Sequence, residues 1–184
     1  MDDHQPPDPI LAVKAKKDPC VFVTLYQRHL KRVYVYHLAR TGNEQDAQDL
    51  TSETFLAAMD GIASYRPEHS FAAWLFGIAH HKLADFYNNK GSESSLEEVD
   101  DPPSSGPPPE QLVERRGDLT RLCQVLELLP EERVDALSLR FFSDLSMGEI
   151  ALVMGKSEAA VKMLIYRGLQ ELRDRLGSFV LEES

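Results

Sequence analysis

The stretch from Leu145 to Leu176 constrains the fold most, because it carries start signals for two helices and a stop signal between them. Ser146 is a good N-cap, and Glu149, three residues later, can reach back to complete a capping box. Gly155 suits the left-handed backbone conformation that ends helices. Ser157 can then cap a second helix. The stretch therefore predicts two helices joined by a tight turn.

The second of these helices has two distinct faces at helical spacing. Its apolar face comprises Val161, Ile165, Gly168, Leu172 and Leu176, and its outward face comprises Ser157, Glu158, Lys162, Met163, Tyr166 and Arg167. An ordinary helical hairpin in an all-α core would also have such an apolar face. The cations and hydrogen-bonding side chains of the outward face suit phosphates and base edges. The pattern therefore favours a helix-turn-helix that binds DNA.

The acidity of the chain is concentrated in one short segment. The 184 residues carry a net charge of −10, and residues 91–118, with eight acids and two bases, account for −6 of it. Such acidity argues against indiscriminate binding to phosphates, although a local basic face can still bind DNA.

Composition excludes several classes of protein. The chain has the 42% hydrophobic and 27% charged residues of a soluble globular protein. It contains no run near the ~18 apolar residues of a membrane span and no signal peptide, so we expect a cytoplasmic protein without membrane insertion. Cys20 and Cys123 lie outside any C-x-x-C pattern. No catalytic grouping, metal-ligand spacing or phosphate-binding loop is recognisable, which predicts no enzyme activity, no metal and no cofactor.

The first half of the chain predicts a helical domain over residues 19–90, after a flexible lead at residues 1–18. Its helices are expected at residues 19–40, 44–61 and 71–89. Proline suits the first position of the first helix, and Asn43 is a good cap for the second. The apolar residues of the first helix cover a wide arc, so it should pack against more than one neighbour.

The second predicted helix carries an acidic side. Asp46, Asp49, Glu53 and Asp60 gather there, opposite the apolar arc that contains Leu50. A solvated face helped by the helix dipole would explain these acids. A docking surface for a basic partner would explain them as well, and the residues alone do not decide between the two.

Residues 91–111 form a linker by composition, since GSESSLEEVDDPPSSGPPPEQ has too little apolar surface to offset the entropy of ordering it. Residues 112–184 then predict a second helical domain that ends in the helix-turn-helix. The expected architecture is all-α, with two small helical domains joined by an acidic flexible linker.

This arrangement resembles the extracytoplasmic-function (ECF) group of bacterial RNA polymerase sigma factors. In the first domain, DAQDLTSETFLAAMDGIASYRPEHSFAAWLFGIAHHKLADFY is similar to sigma region 2. In the second, LELLPEERVDALSLRFFSDLSMGEIALVMGKSEAAVKMLIYRGLQELRDRL is similar to sigma region 4. The two halves in this order and at this separation are much more specific than either half alone.

The resemblance implies a partner for each predicted surface. The polymerase-binding residues would be Asp46, Asp49, Leu50 and Glu53, which match the helix that docks on the clamp helices of the largest subunit of core RNA polymerase. The residues for the promoter −10 element would be Tyr65, Arg66, His69, Ser70, His81, Lys82 and Asn88. The residues for the −35 element would be Ser157, Glu158, Lys162, Met163, Tyr166 and Arg167. An anti-sigma factor or another regulatory protein is a further partner that the resemblance suggests.

Two departures from the family pattern affect these expectations. Family members usually follow the third helix with several arginines, whereas this chain has YNNKG, so we expect weaker phosphate contacts upstream of the −10 element. Leu164 lies where many relatives have a polar or basic residue, which suggests a contact with the first domain or a partner.

The sequence therefore predicts a promoter-recognition subunit of RNA polymerase that directs transcription initiation at −10 and −35 elements. The alternative is a stand-alone helix-turn-helix regulator that binds duplex DNA without polymerase. A scaffold that docks on polymerase but no longer reads promoters is a third possibility, because the arginines are missing.

Overall fold

The computed structural model describes residues 6–93, Leu126 and residues 128–182. Its α-helices are α1 (Asp8–Ala15), α2 (Phe22–Thr41), α3 (Glu44–Gly61), α4 (Phe71–Glu93), α5 (Glu131–Phe142), α6 (Met147–Met154) and α7 (Glu158–Glu182). Short 3-10 turns occupy Pro19–Val21 and Ile62–Ser64. No residue of the described ranges lies in a β-strand, so the predicted all-α class is confirmed.

A flexible lead was predicted over residues 1–18, and helix α1 corrects this prediction for Asp8–Ala15, while residues 1–5 lie outside the described residues. Leu11, Ala12 and Ala15 of this helix are buried, and the Asp8 carboxylate lies 2.7 Å from Nη1 of Arg28. The prolines of the lead suggested a break in structure. Proline is tolerated in the first turn of a helix, because the N–H groups there have no intrahelical acceptor.

Helices α2, α3 and α4 form the core of the amino-terminal half. Helix α2 supplies Leu25, Val33 and Tyr36, all fully buried. It contacts both α3 and α4, as the wide apolar arc predicts. Gly42, with φ of 63°, ends α2, and the Asn43 side chain accepts a hydrogen bond from the Asp46 amide to begin α3. The predicted cap of α3 is therefore confirmed.

Helices α6 and α7 form the predicted helix-turn-helix. The Ser146 hydroxyl accepts from the Glu149 amide, and the Glu149 carboxylate accepts from the Ser146 amide, which completes the capping box. Gly155 ends α6 with φ of 63°, and Ser157 caps α7 by accepting from the Ala160 amide at 3.2 Å. Helix α7 runs to Glu182, beyond the predicted end at Leu176.

Helix α5 braces the helix-turn-helix. A Cβ built on Gly168 of α7 would lie 2.8 Å from Cδ1 of Leu137 on α5, so a larger residue there would push the two helices apart. Arg133 of α5 also forms an ion pair with Glu171 of α7. These contacts hold α5 and α7 together as a packed pair.

The two halves of the chain are in contact with each other. Helix α2 packs against α5, and α4 packs against α6. Residues 91–93 of the predicted linker continue helix α4, and the rest of that linker, like the predicted domain start at residue 112, lies outside the described residues. No helix in the described ranges is both long enough and apolar enough to cross a membrane.

Candidate nucleic-acid interface

The acidic stripe, defined here as Asp46, Asp49 and Glu53 of α3, lies beside α4. Asp46 Oδ2 is 3.1 Å from Nζ of Lys90, and Glu53 Oε2 is 3.4 Å from Nζ of Lys82. Gln45 donates to Asp49 Oδ1 at 3.2 Å. Exposed ion pairs of this kind contribute at most about 1 kcal/mol each. A basic partner can therefore replace the two lysines as the ion-pair partner of these carboxylates with little loss of free energy.

Leu50 lies beneath the acidic stripe and is 3% exposed. It faces the core, as its place on the apolar arc predicts. Leu50 therefore supports the acidic stripe from below but is not itself accessible to a partner.

A groove between α2 and α3, on another side of α3, was missed by the sequence analysis. It has a volume of about 920 Å³ and is lined mainly by apolar side chains. Val23, Leu56 and Met59 in its walls are 53%, 58% and 42% exposed. Tyr26 packs edge-on against Phe55 at its base, with 4.8 Å between ring centroids. Leu56 and Met59 fall outside the apolar arc of α3. These two apolar residues on another side of the helix were the signal in the sequence that could have predicted the groove.

The loop over residues 62–70 is braced from the inside by Tyr65. The Tyr65 ring is 1% exposed and lies 5.6 Å from the Phe71 ring and 5.5 Å from the Trp74 ring. Its hydroxyl donates to the His69 carbonyl at 2.7 Å. Burial raises the pKa of this phenol, and the nearby carboxylates of Asp8 and Glu68 raise it further.

The burial of Tyr65 corrects its predicted role as a base-contacting residue, because its side chain faces the core in this structure. The ring instead holds the loop in shape. Lys16, the residue that follows α1, adds to this support by donating to the Tyr65 carbonyl at 2.6 Å.

Other predicted residues of the loop remain at the surface. Arg66 and His69 are exposed, and Ser70 is half-buried. The Ser70 hydroxyl accepts a hydrogen bond from the Ala73 amide at 3.2 Å, which caps α4. His69, Ser70 and His81 all line one cleft of about 780 Å³ between this loop, α4 and α6.

The predicted residues of α4 point in two directions. His81 and Asn88, seven residues apart, are both exposed on one side of the helix. Lys82 lies on another side and pairs with Glu53, next to the acidic stripe. Lys90, the single cation of YNNKG, pairs with Asp46 and lies 4.8 Å above the Phe86 ring. The structure therefore separates Lys82 from the other predicted −10 residues.

The predicted −35 residues share one exposed surface, the α7 face. It comprises Ser157, Glu158, Lys162, Met163, Tyr166 and Arg167, all of which are exposed. Met163 and Tyr166 are 48% and 61% exposed, which is high for side chains of this size. Their exposure is consistent with a surface that binds a partner. Leu164 is half-buried and packs against the core.

Glu158, a member of the α7 face, lies close to α6. A Cβ on Gly148 would come within 3.0 Å of Oε1 of Glu158, so the small residue at 148 leaves room for this carboxylate.

Comparison with known protein families identifies the family to which a chain with these surfaces belongs. Residues 25–93 match the Sigma-70 region 2 family, and residues 119–172 match the Sigma-70 region 4 family. The chain is 34% identical over 155 residues to the ECF RNA polymerase sigma factor BldN of Streptomyces coelicolor, an alignment that covers 82% of this chain. This chain belongs to the ECF sigma factors.

Further relatives agree with this assignment. The ECF sigma factor SigD of Mycobacterium tuberculosis is 32% identical over 77% of this chain and 70% of its own length. The RNA polymerase sigma factor YlaC of Bacillus subtilis is 30% identical over 83% of this chain and 90% of its own length. The match to BldN spans 58% of that protein, a little over half its length.

Solved structures support the two-domain fold of this ECF sigma factor. CnrH, solved in complex with the cytosolic domain of CnrY, matches with a TM-score of 0.70 and 25% identity over 93% of this chain and 97% of that one. The sigma factor RpoE of Bartonella quintana, solved with the anti-sigma factor NepR, matches with a TM-score of 0.69 and 19% identity over 85% and 96%. Because the identity to RpoE is only 19%, this second match shows similarity of the fold alone.

Proposed function

We propose that this ECF sigma factor directs promoter-specific transcription initiation, with α3 docking on core RNA polymerase, the 62–70 loop and α4 reading the −10 element, and the α7 face reading the −35 element. The observation that carries the proposal is the presence of both family matches, region 2 followed by region 4, along one chain. The chain supplies binding surfaces and, on this proposal, no catalytic group. Its place of action is the cytoplasm, with the polymerase.

The acidic stripe supports docking on a basic helical surface such as the clamp helices of the largest polymerase subunit. Its carboxylates lie at helical spacing on one side of α3, and two of them already hold exchangeable lysines. Carboxylate pairs at a rim steer association and fix orientation more than they add affinity. The acidic stripe therefore provides specificity, and tight binding requires an apolar surface beside it.

The groove between α2 and α3 provides that apolar surface. Leu56 and Met59 present exposed side chains of the type that anchors a helix in a groove. We include the groove in the docking surface, so that a helical partner would bury apolar side chains there while its basic residues meet the acidic stripe. A regulatory protein that fills the groove would compete with polymerase, and an anti-sigma factor is the class of partner that we expect to do so.

The 62–70 loop supports capture of an unstacked base. Removing a base from a duplex requires a preformed pocket, because the unstacking energy must be recovered by contacts to the flipped base. Tyr65 and Lys16 hold this loop in shape from inside. Arg66, His69 and Ser70 then offer hydrogen-bonding groups at its surface, and His81 and Asn88 extend the same surface along α4.

The α7 face supports reading of the major groove. Its first residues follow directly on the Ser157 cap, so free backbone N–H groups lie where a phosphate would pass. Lys162, Tyr166 and Arg167 continue this surface for about three turns. The geometry is that of a recognition helix.

Co-purification with bacterial core RNA polymerase tests the proposal. We expect the full chain to bind core polymerase stoichiometrically. Binding to duplex promoter DNA in the absence of polymerase, together with failure to bind polymerase, would instead establish the stand-alone regulator. Polymerase binding without any transcription would establish the scaffold.

A further inference from the structure

Helix α1 reaches the 62–70 loop through Lys16, the residue that follows it. Nζ of Lys16 donates a hydrogen bond to the Tyr65 carbonyl at 2.6 Å, across 49 positions of the sequence. The peptide bond is planar, so a bond to this carbonyl fixes the orientation of the peptide that leads into Arg66. Lys16 therefore sets the direction in which the backbone enters the part of the loop that carries Arg66.

The amino end of α1 is anchored on α2 by the Asp8 carboxylate. Asp8 Oδ1 lies 2.7 Å from Nη1 of Arg28, and Asp8 Oδ2 lies 2.6 Å from Nε2 of His29. Arg28 also donates to the Pro6 carbonyl at 2.9 Å. Burial acts to raise the pKa of Asp8, but the hydrogen bonds from Arg28 and His29 outweigh burial, so this pKa lies below its usual value. Asp8 therefore holds α1 in place as a carboxylate with two partners on α2.

Aromatic rings connect this anchor to the inside of the loop. The His29 ring is 2% exposed and lies 5.4 Å from the Phe71 ring. The Phe71 ring lies in turn 5.6 Å from the Tyr65 ring. Helix α1 also contacts α4, which begins at Phe71. The loop is therefore held at two points, from the Lys16 end of α1 by a hydrogen bond and from the Asp8 end through packed rings.

This support matters for a loop that reads a base. A flipped base is recognised by hydrogen bonds to its edge, and such a site needs its donors and acceptors held within about 0.5 Å. Surface loops are more mobile than the elements they connect, because few of their groups are packed. The groups that hold this loop come in part from α1 and α2, which lie far from it in the sequence.

We propose that α1 is a positioning element for the base-reading loop, and that Lys16 and Asp8 set the selectivity for the −10 element without contacting a base. The inference rests on the proposed function, in which this loop captures the base. A loop that has lost either support samples more shapes, so it binds preferred and substituted bases more equally. Asp8 separates positioning from direct contact with DNA. Loss of its negative charge would by electrostatics alone strengthen phosphate binding, whereas positioning predicts poorer reading.

Transcription by core polymerase with the full-length chain, from promoters randomised across the −10 region, measures this selectivity. Lys16→Met and Asp8→Ala should each lower the ratio of transcripts from the preferred base to those from a substituted base. We expect a loss of at least about fivefold, because one mismatched base changes binding by roughly 5- to 150-fold. Lys16→Arg keeps a donor toward the Tyr65 carbonyl and should retain the wild-type ratio. Affinity for core polymerase and use of the −35 element should not change.

Matched controls separate positioning from a general effect of charge or stability. Lys14→Met on α1 and Glu132→Ala on α5 remove the same charges at exposed positions, so the ratio should stay at the wild-type value. An unchanged ratio in Lys16→Met, with a salt slope smaller by about 0.7 to 0.9, would show that Lys16 binds phosphate and would overturn positioning. Equal loss of transcripts at every −10 sequence, with a lower thermal midpoint, would reduce α1 to a stabilising helix and overturn it as well.

The fluorescence of Trp74 tests the support of the loop without polymerase. Trp74 is the single tryptophan of the chain, and its ring lies 5.5 Å from the Tyr65 ring. Lys16→Met and Asp8→Ala should increase quenching of this fluorescence by acrylamide, with unchanged helix content by circular dichroism. Quenching equal to that of the wild type would overturn the support by α1. If the wild type with polymerase makes no promoter-directed RNA, the proposed function fails and the role in selectivity fails with it, while Trp74 still decides whether α1 holds the loop.

Discussion

The imidazole of His37 on α2 lies 3.1 Å from the hydroxyl of Thr54 on α3, inside the core of region 2. The Thr54 hydroxyl donates to the Leu50 carbonyl at 2.7 Å, so His37 Nε2 must be the donor to Thr54. Burial lowers the pKa of His37 to about 3. The folded protein therefore holds a neutral histidine where the unfolded chain would hold a charged one at mildly acidic pH.

This depressed pKa predicts a loss of stability on acidification. Below pH ~6.5 the unfolded chain binds a proton that the folded chain does not, so the free energy of unfolding falls by about 1.4 kcal/mol per pH unit until the pH nears the folded pKa. His37→Gln keeps a donor toward Thr54 and removes the titration. Urea unfolding of both proteins at pH 7.5 and 5.5 measures the effect. A wild type whose pH dependence equals that of His37→Gln would contradict a neutral, buried His37.

Charge reversal in the acidic stripe should abolish docking. Asp49→Arg together with Glu53→Arg replaces attraction to a basic partner by repulsion, so affinity for core polymerase should fall by about 100-fold or more, which corresponds to roughly 3 kcal/mol. Both residues are exposed, so the thermal midpoint should hardly change. The matched control is Glu132→Arg with Asp174→Arg in region 4. Equal loss of affinity in the control would remove the stripe from the docking surface.

The apolar groove should be as important to docking as the acidic stripe. Leu56→Asp places a charge in the wall of the groove at a side chain that is 58% exposed, so folding should be affected by less than about 1 kcal/mol. Polymerase affinity should fall by at least about tenfold, because a desolvated charge would face the partner. Ile10→Asp on α1, at a side chain 48% exposed, is the control. Titration of polymerase with labelled protein would show whether only the groove variant is impaired.

Arg167→Ala should weaken use of the −35 element without changing affinity for core polymerase. Loss of one phosphate contact should lower the salt slope of promoter binding by about 0.9. Arg173→Ala, a further exposed cation of α7 outside the proposed face, should have a much smaller effect. Transcription from promoters with and without a −35 element gives the comparison. A variant that loses polymerase affinity and promoter use together would indicate a folding defect instead.

The parts of the fold that local chemistry determines were predicted correctly from the sequence. Asn43, Ser146 and Ser157 cap the helices that were expected to follow them, and Gly155 ends α6. Each of these signals acts over three or four residues, so the sequence alone contains it. The exposed α7 face was predicted for the same reason, because helical spacing separates it from the apolar face.

Contacts between residues far apart in the chain could not be predicted from the sequence. Helix α1 is held by Arg28 and by burial against α2, and neither is visible in a lead that contains three prolines. Tyr65 was predicted to touch DNA, yet its ring packs with Phe71 and Trp74. The Arg40–Asp135 pair spans 95 positions and joins two domains that were expected to be separate.

Transcription from a library of randomised promoters is the most direct test of the central assignment. Core RNA polymerase would be combined with the wild-type chain, and the RNA start sites would be mapped. We expect start sites preceded by shared −35 and −10 elements, and we expect these start sites to be lost with Asp49→Arg and Glu53→Arg. Transcripts that require no added chain, or start sites without shared upstream elements, would contradict a promoter-recognition function.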